Sequence, residues 1–278
     1  MEEPTNNTNP SEHHHSQKKS EISLPTAIIV AAFIIGIALI VIKTPSSTFK
    51  NVTTDNTKQN NTLEPATIRE MVKMVLDTKN QDKNNFVPVS SKDHVVGSTN
   101  PKITIVEYSD LECPFCKVFH STMNKVMRTY SDNVAWVYRN FPLDCVDSKD
   151  PQCTPLHSKA RDEALAAECT FEQGGNDVFF TYINMIFQQT PSNNRLDPQI
   201  LLDSAKGIGL DMKKFTSCVT SKKYASLISD EVKGGIKIGV NGTPTSIMID
   251  SQGNTYQIQG ALPYEVVAGT IDSLIGTK

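Results

Sequence analysis

Two cysteines of the chain, Cys113 and Cys116, are separated by Pro114 and Phe115, a spacing typical of a redox-active thiol pair. They follow an apolar, β-branched run at 103–106 that predicts a strand, and they open an apolar pattern at helical spacing. A thiol at a helix N-terminus ionises readily, because free backbone N–H groups favour the anion. Pro114 fits the first helical position. We therefore expect Cys113 to be the outward-facing nucleophile and Cys116, one turn further in, to resolve the mixed disulfide.

Glu107 is an acid in an otherwise apolar strand, six residues before Cys113. Because the flanking run is apolar at every second position, the pattern favours burial beneath the start of the helix. There the carboxyl group could pass protons to and from Cys116. The alternative is an exposed carboxylate on an edge strand.

Two other uses of a Cys-x-x-Cys pair fit the sequence less well. A zinc site needs a second pair of ligands at similar spacing, but Cys145 and Cys153 are eight residues apart, and Cys169 and Cys218 stand alone. A purely structural disulfide is disfavoured, since a helix start that contains proline exposes the first sulfur. We therefore predict no metal site and no cofactor other than the redox-active cysteine pair.

The block Glu-Tyr-Ser-Asp-Leu-Glu-Cys-Pro-Phe-Cys at 107–116 and the later Val-Asn-Gly-Thr-Pro-Thr at 240–245 resemble DsbA-like thiol:disulfide oxidoreductases of the thioredoxin superfamily. The similarity runs from about Lys102 to the C-terminus. It implies an α/β thioredoxin-like fold that is interrupted by an all-helical subdomain. It also implies a cis peptide bond before Pro244, which would face the cysteine pair, with Thr243 as the residue before it.

The resemblance also implies roles for the residues around the pair. Glu107 matches the buried acid of the family, and Pro114, Phe115, Thr243 and Pro244 would contact the substrate. Phe115 departs from the strongest oxidants of the family, which carry histidine at that position. One stabiliser of the Cys113 thiolate is therefore missing from the motif.

The first 63 residues divide into three segments by composition. Residues 1–21 are polar and are predicted to form a disordered cytoplasmic tail. Residues 22–42 carry no charge, and at about 1.5 Å per residue a helix of this length reaches about 30 Å, enough to cross a bilayer. A cleavable signal peptide is the alternative, but no small-x-small site follows, which favours an uncleaved anchor. Residues 43–63 read as a flexible linker.

Flanking lysines barely decide the orientation of this anchor, but the six cysteines favour an oxidising compartment. We therefore place the domain at 64–278 on the extracytoplasmic side of the cell membrane, with a single pass through the lipid bilayer. The net charge of -3 and the absence of a basic stripe with interleaved aromatics argue against nucleic acid as a partner.

Periodicity predicts the remaining elements of the domain. A strand at 134–140 should lie parallel to the strand before the cysteines, because a helix connects the two. Between them and the last strands, about 142–241 reads as a helical insertion. The other expected elements are a helix at 65–79, an edge strand at 86–89, four helical segments at 157–170, 177–189, 197–207 and 211–238, a hairpin at 245–259 and a helix at 263–275.

The other four cysteines allow three pairings. Cys145 and Cys153 bracket a polar loop, and we expect them to pair in an oxidising compartment. Cys169 and Cys218 fall on separate predicted helices, where they either bridge those helices or remain buried free thiols.

Three further polar residues lie near the predicted site without a motif of their own. His120, one turn after Cys116, is predicted to lie on the helix surface. His157 and Arg139 fall near ends of elements that could face the site, and neither is among the candidate catalytic residues.

These features predict a membrane-anchored, extracytoplasmic thiol:disulfide oxidoreductase that acts on proteins with cysteines, and they favour an oxidase that donates the Cys113–Cys116 disulfide. The resemblance suggests a quinone-linked membrane partner for re-oxidation. A disulfide reductase or isomerase would use the same pair. A non-catalytic binding or chaperone module on the same fold is the other alternative.

Overall fold

A computed structural model of the protein describes residues 63–81 and 83–276. Within these two stretches no helix is both long enough and apolar enough to cross a bilayer. The predicted tail at 1–21, the predicted anchor at 22–42 and all of the predicted linker except Leu63 lie outside the described residues.

The domain is built on one five-stranded mixed sheet with the order β1-β3-β2-β4-β5. The central strand β2 pairs in parallel with β3 and antiparallel with β4. The edge strands β1 and β5 are each antiparallel to their neighbour. The strands are β1 His94–Gly97, β2 Ile103–Ser109, β3 Val134–Asn140, β4 Thr245–Asp250 and β5 Thr255–Gln259.

Seven helices accompany this sheet in the described part of the chain. Four consecutive helices separate β3 from β4 and form the predicted helical insertion. The helices are α1 Pro65–Leu76, α2 Pro114–Tyr130, α3 Ala160–Gln189, α4 Pro198–Gly207, α5 Met212–Thr220, α6 Ala225–Lys237 and α7 Tyr264–Ile275.

Alternating residues of the strands build two cores, one on each face of the sheet. Trp136 and Met248 belong to the larger core, which continues into α2, α7 and the helical insertion. Val106 and Ile247 belong to the smaller core on the opposite face, which α6 covers through Val232. Because both faces are covered, β2 and β3 are buried along nearly their whole length.

The helical insertion begins with one long, kinked helix where the sequence predicted two. The predicted segments at 157–170 and 177–189 form the single helix α3, which is kinked at Gly175 with φ of 66°. Glycine tolerates this left-handed backbone, which places the kink where the sequence suggested a break. Asp197 and Asp211 cap α4 and α5, because their carboxylates accept hydrogen bonds from backbone N–H groups of the first turn.

The predicted edge strand at 86–89 is wrong, and the edge position is taken by β1 instead. The backbone carbonyls of Val87 and Pro88 accept hydrogen bonds from the guanidinium of Arg139, at 3.0 and 3.2 Å. Because Arg139 occupies these carbonyls, they are not available to a neighbouring strand. Pro88 also has no backbone N–H to donate to one. His94–Gly97 pairs along β3 in its place.

The helix predicted at 65–79 ends at Leu76 and packs on the core of the domain. Its contacts are with α7 and with the edge strand β5. Thr78, just past its end, accepts a hydrogen bond at its hydroxyl from the backbone N–H of Gln257, at 2.7 Å. The segment is therefore an integral part of the folded domain.

Candidate active site

Both cysteines of the motif are free thiols at the start of α2. Cys113 is the N-cap residue, with extended backbone angles, and Pro114 follows at the first helical position. Cys116 is fully buried, whereas 3% of Cys113 is exposed. The nucleophile expected from the sequence is therefore recessed, and its sulfur is reached through a cavity rather than from open solvent.

The surroundings of Cys113 favour its thiolate. Hydrogen bonds from the Cys116 thiol and from backbone N–H groups of the first helical turn lower its pKa to about 6, against the opposing effect of burial. In the thiol form the Cys113 Sγ donates to the carbonyl oxygen of Thr243 at 3.4 Å.

Cys116 has the opposite environment. Burial is the largest cause that raises its pKa well above the ordinary value, and the neighbouring Cys113 and Glu107 add to the effect. The backbone N–H of Asp110 points at its sulfur, with 3.4 Å between the atoms. The Cys113 thiol is thus more acidic than the Cys116 thiol, and it ionises at a lower pH.

Glu107 is fully buried on β2, as the alternating pattern predicted. Its Oε2 accepts a hydrogen bond from Trp136 Nε1, and its Oε1 has no hydrogen-bond partner within 63–81 and 83–276. Burial raises the pKa of this carboxyl group to about 7. A group with this pKa can accept and return a proton near neutral pH, which is what a partner of Cys116 requires.

The peptide bond between Thr243 and Pro244 is cis, as the resemblance implied. It lies immediately before β4, the strand that pairs with β2 in register from Tyr108 to Ile103. This pairing brings the Thr243 carbonyl next to Cys113, although the two residues are 130 positions apart in sequence.

A cavity of about 560 Å³ opens beside Cys113. We call it the groove. The backbone at 240–243 and the loop between β3 and α3 form its sides, and Phe115 at its rim is 63% exposed. Most of its wall is apolar, through Phe115, Phe141, Leu143, Leu156, Val232 and Ile236. An apolar groove with a thiol in its wall suits an extended peptide segment that carries a cysteine.

His157 lines the groove together with Cys113. The sequence places it near an element end that could face the site, but not among the candidate catalytic residues. Its Nδ1 is 2.9 Å from Oδ2 of Asp110, and the imidazole is buried. Asp110, three positions before Cys113, also accepts hydrogen bonds from the backbone N–H groups of Glu112 and Leu143.

His120 and Arg139 do not reach the groove. The predicted surface position of His120 is wrong, because helix α3 covers it and Asn184 hydrogen-bonds its Nε2. Burial lowers the pKa of His120 to about 4, so its ring is neutral near pH 7. Arg139 is paired with Asp93 and contacts Tyr108 of the smaller core, away from the residues that line the groove.

The structure joins Cys145 to Cys153, as the sequence predicted, and Cys169 to Cys218, one of the two outcomes that the sequence left open. The first disulfide closes the loop that borders the groove, and both of its cysteines line the cavity. The second joins α3 to α5 within the larger core.

The thioredoxin family model, Thioredoxin_4, matches residues 89–273. The chain belongs to the thioredoxin family. Among solved structures, DsbA2 from Pseudomonas aeruginosa is 29% identical with a TM-score of 0.56, over 69% of this chain and 97% of that one. BdbD from Bacillus subtilis in its oxidised form has a TM-score of 0.57 at 21% identity, over 69% and 97% of the two chains. These likenesses confirm a DsbA-like member with a thioredoxin-like α/β fold and helical insertion.

Curated relatives of a different kind match part of this DsbA-like chain. The Na(+)/H(+) antiporter NhaA 1 of Salinispora arenicola is 30% identical over 161 residues, which is 58% of this chain. NhaA 3 of Salinispora tropica is 31% identical over the same length. The chain spans only 22% of the length of each of these relatives.

Proposed function

We propose that this DsbA-like protein is a thiol:disulfide oxidoreductase that donates the Cys113–Cys116 disulfide to cysteine-containing proteins. The observation that carries the proposal is the contrast between the two thiols at the head of α2. Cys113 has a lowered pKa and lines the groove, whereas Cys116 is fully buried with a raised pKa. A structural cysteine pair needs no such difference.

The reaction begins when a substrate thiolate attacks the Cys113 sulfur of the oxidised pair. The bond between Cys113 and Cys116 breaks, and Cys116 leaves as a thiolate that takes a proton from Glu107. The second substrate thiol, deprotonated, then attacks the mixed disulfide, and Cys113 leaves as a thiolate, which its lowered pKa favours. Two electrons pass from the substrate dithiol to the cysteine pair, and the substrate gains one disulfide. Of the two protons that the substrate thiols release, one returns Glu107 to its protonated form and the other goes to solvent.

Re-oxidation requires an acceptor for these two electrons. The resemblance to DsbA-like proteins supports a quinone-linked membrane partner, which would re-form the Cys113–Cys116 bond. A membrane anchor at 22–42, as an uncharged stretch of suitable length, would hold the domain beside such a partner on the extracytoplasmic side. The two further disulfides support an oxidising compartment.

A reductase or isomerase would run the same exchange in the other direction, and Phe115 in place of histidine is the feature that favours it. The reduction potential of the Cys113–Cys116 pair separates these functions. Known pairs range from about -120 mV for DsbA to about -270 mV for thioredoxin. We expect a value nearer the first, measured by equilibration of the full chain with glutathione.

The test of exchange itself is the Cys113→Ser variant with a reduced, unfolded substrate protein. We expect the oxidised wild type to form substrate disulfides and the variant to form none. Equal substrate oxidation by the variant would contradict the role of Cys113, and no oxidation by the wild type would leave a binding module. A wild-type potential near that of thioredoxin would instead assign reduction or isomerisation.

A further inference from the structure

We propose that His157, held in place by Asp110, stabilises the Cys113 thiolate and so takes the part that a histidine inside the motif plays in the strongest oxidants of the family. This assignment rests on the exchange function proposed above. It makes His157 a positioning and electrostatic residue of the site, contributed by the segment that leads into the helical insertion.

The geometry links the three residues through short contacts. The backbone carbonyl of Asp110 accepts a hydrogen bond from the Cys113 N–H at 3.1 Å, and its side chain binds His157 Nδ1 at 2.9 Å. The backbone N–H of His157 is fixed to the Leu143 carbonyl at 3.0 Å. The imidazole therefore has one orientation, in the wall of the groove that also contains Cys113.

The orientation leaves the second ring nitrogen available to the site. Nδ1 donates to the Asp110 carboxylate, and Nε2 makes no hydrogen bond within the described residues. A carboxylate on one nitrogen favours the imidazolium, in which both nitrogens carry protons. An imidazolium close to a cysteine is a known route to a strongly acidic thiol.

Several charged groups act on the imidazole. Burial lowers the pKa of His157, but Asp110, Cys113 and Glu112 raise it, and the balance lies above the ordinary value. The interaction is mutual, because a thiolate that favours the imidazolium is favoured by it in return.

Three further groups complete the surroundings of this pair. Burial is the largest cause that raises the pKa of Glu163, at the start of α3, to about 10; the neighbouring Glu112 and Asp110 add to it, and Lys159 opposes it. Asp144 also lines the groove, but its charge is engaged by Arg161. Because its pKa is raised, Glu163 is neutral near pH 7. Asp110 is the carboxylate in direct contact with the imidazole.

A purely structural role for His157 makes a different prediction. If the ring served only to tie Asp110 to the loop, any side chain with an N–H donor would suffice. Glutamine keeps a donor but has no charge, so His157→Gln separates the two roles. His120→Gln is the matched control, because His120 is also buried but is neutral and bonded to Asn184.

The experiment uses the reduced full chain in detergent and follows thiolate absorbance against pH, together with the redox equilibrium against glutathione. For His157→Gln we expect the acid dissociation constant of the Cys113 thiol to fall about tenfold, the low end for loss of an opposite charge. The equilibrium should become less oxidising by up to about tenfold, or ~30 mV. His120→Gln should match the wild type.

Adding Phe115→His to His157→Gln supplies a histidine inside the motif and should restore the acidity of Cys113. Values for His157→Gln within about twofold of the wild type would overturn the proposal. If that variant does not fold, the NMR titration of the His157 ring in wild type and in Cys113→Ser decides. The ring pKa should fall in the variant, and an unchanged pKa overturns the proposal.

These readouts follow thiol and imidazole ionisation and need no substrate protein. If Cys113 loses acidity in His157→Gln as expected but the wild type exchanges no disulfides, the proposed function is wrong and the role of His157 stands. If the wild type exchanges disulfides but the acidity of Cys113 is unchanged in His157→Gln, the role of His157 is wrong and the proposed function stands.

Discussion

Trp136 donates its indole N–H to the Glu107 carboxylate across neighbouring strands, with 3.0 Å between Nε1 and Oε2. Both side chains are buried beneath the start of α2. One neutral donor only partly replaces the water that a carboxylate loses on burial, so the pKa of Glu107 stays high, at about 7. The acid is thereby matched to a proton transfer near neutral pH.

This raised pKa makes folding stability depend on pH in a defined direction. The folded protein holds the Glu107 proton up to about pH 7, whereas the ordinary value is 4.5, so the contribution of Glu107 to stability declines as pH rises between these values. We expect the stability of Glu107→Gln relative to wild type to increase by about 3 kcal/mol between about pH 4 and about pH 8. Urea unfolding of the reduced proteins measures it.

Glu70→Gln on the exposed face of α1 is the control for this comparison. Its stability relative to wild type should change little over the same range, because a solvated carboxylate is not penalised by burial. A pH-independent difference for Glu107→Gln would show that the carboxyl group ionises normally in the folded protein.

The resolving role of Cys116 predicts a trapped intermediate. In Cys116→Ser the Cys113 thiolate can still join a substrate that carries a disulfide, but the second enzyme thiol that would release it is absent. We expect mixed disulfides to accumulate, seen as adducts on non-reducing gels that disappear with reductant. Neither Cys113→Ser nor the double variant should form them, and adducts of equal yield in Cys113→Ser would assign the nucleophile to Cys116.

The acidity of Cys113 predicts how its alkylation depends on pH. Since only the thiolate reacts, the rate in the reduced protein should rise with pH through a midpoint of about 6, and Cys116 should remain unmodified. Mass spectrometry after timed treatment with iodoacetamide locates the label. A midpoint near 9, the ordinary value for a thiol, would contradict the hydrogen bonding described at the head of α2.

The two disulfides should differ in their contribution to stability. Loop-closure entropy gives about 2–3 kcal/mol for Cys145–Cys153, which are eight residues apart, and about 4 kcal/mol for Cys169–Cys218, which are 49 apart. We therefore expect the Cys169→Ala/Cys218→Ala variant to lose more stability in guanidinium unfolding. Only the variant that lacks Cys145–Cys153 should have altered exchange with substrates, because that disulfide borders the groove. The reverse order would contradict the entropic account.

Two adjacent glycines of α6 provide a matched test of the groove wall. A Cβ at Gly235 would lie 2.7 Å from the Phe141 ring and 3.0 Å from Tyr108, whereas one at Gly234 would lie 3.2 Å from Val87. Both alanine variants gain the same helix propensity, about 1 kcal/mol. We expect Gly235→Ala to be the less stable by about 1–3 kcal/mol, because Phe141 is held between the sheet and α6. Equal thermal stabilities would mean that this ring moves freely.

The local sequence pattern was sufficient to predict which residues lie at the centre of the candidate site. The spacing of Cys113 and Cys116, the proline between them and the apolar strand around Glu107 all concern residues close in sequence, where helix and strand periodicity determine which side chains are buried. The parallel pairing of β2 with β3 follows from the single helix that connects them.

Features that depend on distant partners were beyond this reasoning. His120 is buried because α3 brings Asn184 against it, 64 residues further along. His94–Gly97 is a strand because β3 pairs with it, although its own sequence is short. His157 reaches the groove through Asp110, 47 residues earlier, and no periodicity in the helical insertion encodes that contact.

The recessed position of Cys113 has a consequence for when the protein works. An extended segment can place its cysteine in the groove more readily than a cysteine fixed on the surface of a folded globular protein can. Disulfide transfer must then compete with the folding of the client itself. Under the proposed function, the time for which a client segment stays extended would set which of its cysteines are oxidised.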